Sequence, residues 1–177
     1  WRMPELRNAI VFEVDHPDSQ RDKRARVGSL TQTSREVRFV PVDFTRGSLA
    51  DALESAGHET TRGTTWIWEG VVMYLSPSDV EATLAVVTRR SAAGGRLVIA
   101  YHAPSPVLWL VGAFVRRVGE PLRSAFTAEQ MRDVLARHGF RVVRDQDVAT
   151  VGASLSVAVA RSTQRMKHMR LVVADRG

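Results

Sequence analysis

Cysteine is absent from the 177 residues, which excludes disulfides and thiolate-held metals and leaves the redox compartment open. Lysine is almost absent too: it stands only at Lys23 and Lys167, so a formal net charge of +6 is carried by arginine. Those arginines are spread along the whole chain, pairing only briefly at Arg89-Arg90 and Arg116-Arg117. The interleaved basic and aromatic stripe of single-strand binders is missing, which argues against a nucleic-acid partner. The longest apolar run, Val107 to Val115, is far too short for a membrane span, so no membrane partner is expected. No secretory signal pattern opens the chain. No glycine-rich loop is available to cradle a phosphate either.

What remains is an ordinary globular composition, 44% hydrophobic and 25% charged, at a length that suits one domain with a real core. The first residue is Trp1, not a methionine, so the chain reads as a processed product or a fragment.

Short apolar runs alternate with amphipathic ones. Ala9–Asp15 is a strand closed by Asp15, and Pro17 suits the first turn of a helix that follows over Ser19–Thr31. Val37–Asp43 is a second strand, with Pro41 pointing to an edge. Ser48 caps a short helix with Leu49, Ala52, Leu53 and Ala56 inward, and Gly57 ends it. Thr65–Trp68 is aromatic and β-branched, as in a strand buried on both faces, and stops at Glu69-Gly70. Ser76-Pro77 opens a helix with Val80, Leu84 and Val87 on one face, and Arg96–His102 is the fourth strand. Pro104–Ala125 breaks the rhythm and reads as a helical lid over the ligand edge or, as the alternative, as a core helix. Thr127 to Gln130 is a capping box opening a helix with Met131, Val134 and Leu135 inward. Phe140–Val143 and Ser154–Ala160 read as a closing pair of strands, and residues 161–177 as a basic tail. The alternation predicts βαβ units, hence an α/β fold with a parallel sheet.

Three of these strands close on acids: Asp15, Asp43 and Glu69. An isolated strand-end carboxylate is ordinarily just solvated, but parallel strands bring such ends to one edge, where open α/β sheets bind their ligands. A carboxylate accepts at two oxygens and donates nothing, so one acid can take both hydroxyls of a ribose. A second can accept from an adenine amino group, and a third can offset a nearby positive centre. The set fits a nucleoside bearing a cation better than a phosphate ligand. Hydrolysis by paired carboxylates is the rival use.

Glu13-Val14-Asp15-His16-Pro17 with Lys23, Val40-Pro41-Val42-Asp43-Phe44, and Trp68-Glu69-Gly70-Val71-Val72-Met73-Tyr74-Leu75 together resemble the leucine carboxyl methyltransferase-like family. More closely, they resemble its actinobacterial branch of S-adenosylmethionine-dependent O-methyltransferases, which includes polyketide O-methyltransferases. Gly119-Glu120-Pro121 and Arg137-His138-Gly139-Phe140 are similar to that branch as well, so the resemblance covers about residues 1 to 160.

The resemblance implies a class I methyltransferase fold: a Rossmann-like seven-stranded sheet with helices on both faces and an antiparallel last strand. It implies S-adenosylmethionine as cofactor, with Asp15 on the ribose, Asp43 on the adenine amino group, Phe44 beside the base and Glu69 near the methionine part. Tyr74 would face the substrate or pack. A small-molecule acceptor and a cytoplasmic location are the further expectations. His102, just past a strand end, is the candidate base on the substrate side if the acceptor is not already ionised; as a rival it is a structural histidine. His58 and His138 read as helix-end caps.

Relatives carry a Gly-x-Gly loop after the first strand, just ahead of a segment resembling Trp1-Arg2-Met3. Loop and strand are lacking here, and in this fold that strand lies between those ending at Asp15 and Glu69. The expectation is therefore weak or no cofactor binding by these 177 residues alone. An inactive fragment, a binding module of the same fold, or a basic nucleic-acid-binding domain are the alternatives.

Overall fold

A computed structural model describes residues 1, 3–44, 47–106 and 122–177. The chain divides into two compact units, Trp1–Glu59 and Thr60–Gly177.

The first unit is one parallel βα pair and its extension. β1 (Ile10–Asp15) and β2 (Glu36–Pro41) run parallel, Ile10 opposite Glu36 and Asp15 opposite Pro41. Between them lies α1 (Pro17–Val27), shorter than the helix expected over 19–31, with Pro17 at its start and Gly28 after its end. α1 has no apolar stripe to bury: Gln20 is its one buried residue, and Leu30 beyond it is exposed. Polar contacts hold it instead. Gln20 Nε2 donates to the Glu13 carbonyl at 2.9 Å and to Glu13 Oε2 at 2.8 Å, and the Lys23 ammonium pairs with Glu13 Oε1. α2 (Leu49–Ser55) is capped by Ser48, buries Leu53, and ends before Gly57, whose φ of +79° suits glycine.

The second unit carries a four-stranded sheet ordered β3-β4-β6-β5. β3 (Thr65–Trp68) and β4 (Arg96–His102) are parallel. β6 (Met169–Arg176) runs antiparallel to β4 on one side and to β5 (Phe140–Asp147) on the other. Leu97, Ile99 and Tyr101 of β4 and Val172 and Ala174 of β6 are buried, with alternate residues between them less so. α3 (Pro77–Arg89) buries Val80, Leu84 and Val87, and α4 (Ala128–Arg137) buries Met131, Val134 and Leu135, the faces the spacing predicts. Both helices open with complete capping boxes, at Ser76/Asp79 and Thr127/Gln130. Arg137 bridges to Glu81 at 2.6 Å, and Thr88 Oγ1 donates to the His138 carbonyl at 2.9 Å, joining the two helices side by side.

Two expectations differ from the structure. β3 is not buried on both faces: Trp68 is packed and Trp66 Nε1 donates to Ser91 Oγ at 2.7 Å, while Ile67 between them is 73% exposed. The period of two puts both tryptophans on one face, and that face alone is covered. Nor is Ser154–Ala160 a strand. Asp147 accepts from Thr150 N at 2.8 Å and caps α5 (Val148–Leu155); Ser156 accepts from Val159 N at 3.2 Å and caps α6 (Val157–Thr163). The closing strand is β6, from the stretch read as a tail. Most of the segment expected to be a lid, residues 107–121, lies outside the described residues.

Candidate functional site

In the first unit, Asp15 and Asp43 come together as expected. Asp15 is the last residue of β1, and its carbonyl accepts from Val42 N at 2.9 Å, so the chain leaving β2 is tied to the end of β1 just before Asp43. Both acids therefore sit at the carboxyl edge of two adjacent parallel strands. Asp15 Oδ1 accepts from His16 N at 2.7 Å, which fixes the carboxylate, while Oδ2 has no hydrogen-bond partner among the described residues. The helix that follows is anchored by the pairing of Glu13 with Gln20 and Lys23, so the turn bearing Asp15 and His16 is clamped at both ends. Phe44 is half-buried in the turn that begins at Asp43, where Gly47 N donates to the Asp43 carbonyl at 2.7 Å.

In the second unit, the corresponding edge carries Glu69, Tyr74 and His102. Glu69 is exposed directly after β3. Tyr74, also exposed, ends a 3-10 turn over Val72–Tyr74. That turn is held beside the end of β4 by residues 123–126: Arg123 N donates to the Met73 carbonyl at 2.7 Å, Ser124 Oγ to the Val72 carbonyl at 2.8 Å, and Phe126 N to the His102 carbonyl at 2.9 Å. His102 ends β4. Its Nδ1 is buried without a hydrogen-bond partner among the described residues, and its ring lies 5.7 Å from that of His168, just before β6. Burial, with the nearby His168 second, pushes the His102 imidazole below the ordinary histidine range. Of the two other histidines, His138 is the residue following α4, as a cap reading has it. His58 is buried against Phe12, ring centroids 5.3 Å apart.

Sequence reasoning missed one polar cluster on the opposite face of β4. Tyr101 Oη donates to Asp145 Oδ2 at 2.7 Å, and Arg170 Nε lies 2.9 Å from Asp145 Oδ1 and 3.0 Å from Tyr101 Oη. Burial first, then the Asp145 carboxylate, drives the phenol upward, so it stays protonated at all ordinary pH. No group of three or more metal-ligating side chains occurs among the described residues. Nor, among them, is any helix long and apolar enough to cross a membrane.

The alternation of strands and helices agrees with what comparison finds. Residues 1–88 match the family model for leucine carboxyl methyltransferase. That match takes in just under half of this chain. A protein of Mycolicibacterium gilvum, named provisionally as an S-adenosyl-L-methionine-dependent methyltransferase, is 36% identical over 124 residues, covering 70% of this chain and 39% of its own. The chain spans about two-fifths of the length of such curated relatives. Among solved structures, a DUF574-family protein of Streptomyces avermitilis superposes with a TM-score of 0.73 at 15% identity, over 97% of this chain and 66% of that one. The Burkholderia thailandensis 1,6-didemethyltoxoflavin-N1-methyltransferase, solved with S-adenosylhomocysteine, gives 0.56 at 15% identity, over 96% and 72%. The fold is the α/β fold of class I methyltransferases, its antiparallel strand being β6.

Proposed function

We propose that this chain is part of an S-adenosylmethionine-dependent methyltransferase acting on an oxygen of a small molecule. The observation that carries the reading is the placement of Asp15 and Asp43 at the ends of adjacent parallel strands. The residues fit the cofactor: Asp15 is held by the His16 amide through one oxygen and offers the other, an acceptor-only group suited to a ribose diol. Asp43 takes the adenine amino group, with Phe44 beside the base. Glu69 serves the methionine part, and Tyr74 and His102 stand on the acceptor side. The cofactor supplies the activated methyl group. The protein's share is to orient the two reactants and exclude water. The match of residues 1–88 to the family model supports the cofactor, and the naming of relatives as methyltransferases supports the reaction class.

Ultraviolet crosslinking of S-adenosylmethionine, read by peptide mass spectrometry, tests the assignment. Label is expected on the peptides bearing His16 and Phe44. Label confined to other peptides would contradict it.

A further inference from the structure

Between β5 and β6 the chain makes a tight helical hairpin, α5 against α6, joined by Ser156 alone. Gly152 permits the close packing, since a Cβ there would collide with Thr163 Oγ1. The corner projects two large apolar side chains into water, Leu155 at 68% exposure and Val157 at 71%. Ser156 between them is extended, with φ −167° and ψ 162°, which puts its two neighbours on one side. The helices do not need either side chain, because their caps are Asp147 and Ser156. Apolar residues exposed singly are ordinary, but two flanking one corner make a shared apolar tip.

The hydroxyls around that tip are bonded within the hairpin. Ser154 Oγ donates to the Val151 carbonyl at 2.7 Å, and Ser162 Oγ and Thr163 Oγ1 both donate to the Val159 carbonyl at 2.9 Å. Ser156 Oγ accepts from Val159 N at 3.2 Å. Polar groups already bonded in this way lose little on leaving water.

Charge is the second observation. From Val148 to Ala174 there is no Asp or Glu, whereas Arg161, Arg165, Lys167 and Arg170 stand there. Arg170 is engaged with Asp145; the other three are exposed and form no ion pair among the described residues. Arg161 follows Val157 by four positions in α6, so it stands on the same helical face about 6 Å behind the tip. An apolar end with cations one turn behind it matches the section of a bilayer, acyl chains beneath a layer of phosphates. A nucleic acid would answer the cations and leave the apolar tip in water.

We propose that the α5–α6 corner docks on the surface of an anionic lipid bilayer, independently of the methyltransferase reading. Leu155 and Val157 enter the acyl boundary while Arg161, Arg165 and Lys167 meet headgroup phosphates. Docking of this kind needs no membrane-spanning helix.

The test uses the whole chain with vesicles of phosphatidylcholine alone or of phosphatidylcholine and phosphatidylglycerol in equal parts. Sedimentation should carry the protein with the mixed vesicles and not with the neutral ones, and added salt should release it. Because the chain has no cysteine, Leu155→Cys takes a single nitrobenzoxadiazole label, whose emission should move to the blue on mixed vesicles. The same label on Ala93→Cys, exposed in the turn before β4 at the other end of the sheet, should not respond. Leu155→Ser combined with Val157→Ser should weaken partitioning about tenfold or more. Arg161→Gln combined with Arg165→Gln should weaken it by about tenfold as well. Sedimentation with both vesicle types alike or with neither, equal response at positions 155 and 93, or a serine variant that binds like the parent would overturn the proposal. A label at 155 that shifts with protein concentration in the absence of lipid would name a second copy as the occupant and overturn it too.

Discussion

Tyr101 and Asp145 stand 44 positions apart in the chain, yet their side chains meet at 2.7 Å with Arg170 closing the triangle. Asp145 is 6% exposed, so its charge is sustained by these partners and not by water. Removing one member of a buried pair costs more than the pair itself contributes, because the survivor is left uncompensated. Asp145→Ala should therefore lower stability by about 3–5 kcal/mol in urea unfolding. Tyr101→Phe should cost only about 1 kcal/mol, since Asp145 and Arg170 keep each other. Equal costs for the two variants would show that the triangle does not work as a charge-centred unit. The same contacts explain how a basic residue can occupy a strand bordered on both sides.

Among the elements, β6 decides the architecture of the second unit, because it separates β4 from β5 and supplies bonds to both. Val172 is fully buried there. Val172→Asp would bury an unpaired charge, a cost large enough to exceed the stability of most domains of this size. Loss of cooperative unfolding in calorimetry is expected; a native-like transition would mean that β6 is peripheral.

The sequence made β1, β2 and β3 legible because each is a local apolar run followed at or within two residues of its end by an acid, Asp15, Asp43 or Glu69. The faces of α3 and α4 were legible for a similar reason, since their periodicity and capping boxes are local. β6 was not. Its Leu171-Val172-Val173 core sits among basic residues, and its partners lie far upstream in β4. The alternating Ser, Val and Ala of 154–160 imitated a strand, while the caps Asp147 and Ser156 committed that stretch to helices. The site was readable to the same depth. Asp15 and Asp43 are visible as strand ends, whereas the enclosed Nδ1 of His102 and its neighbour His168 arise only from tertiary packing.

Charge is uneven along the molecule: Trp1–Glu59, the unit bearing Asp15 and Asp43, carries 9 basic against 10 acidic side chains and so suits a cationic nucleoside. The central claim is that Asp15 holds the nucleoside, and amide NMR during titration with S-adenosylmethionine tests it most directly. With the nucleoside held chiefly by Asp15 and Asp43, weak affinity on the order of millimolar is expected, within the range NMR titration can follow. Resonances of Asp15, His16, Asp43 and Phe44 should shift together. Asp15→Ala should weaken binding by about tenfold or more, as for a charge-assisted hydrogen bond, and Asp18→Ala, on the exposed first turn of α1, should leave it unchanged. An Asp15→Ala protein that titrates like the parent, or a parent whose Asp15 and Asp43 regions do not respond, would contradict the account.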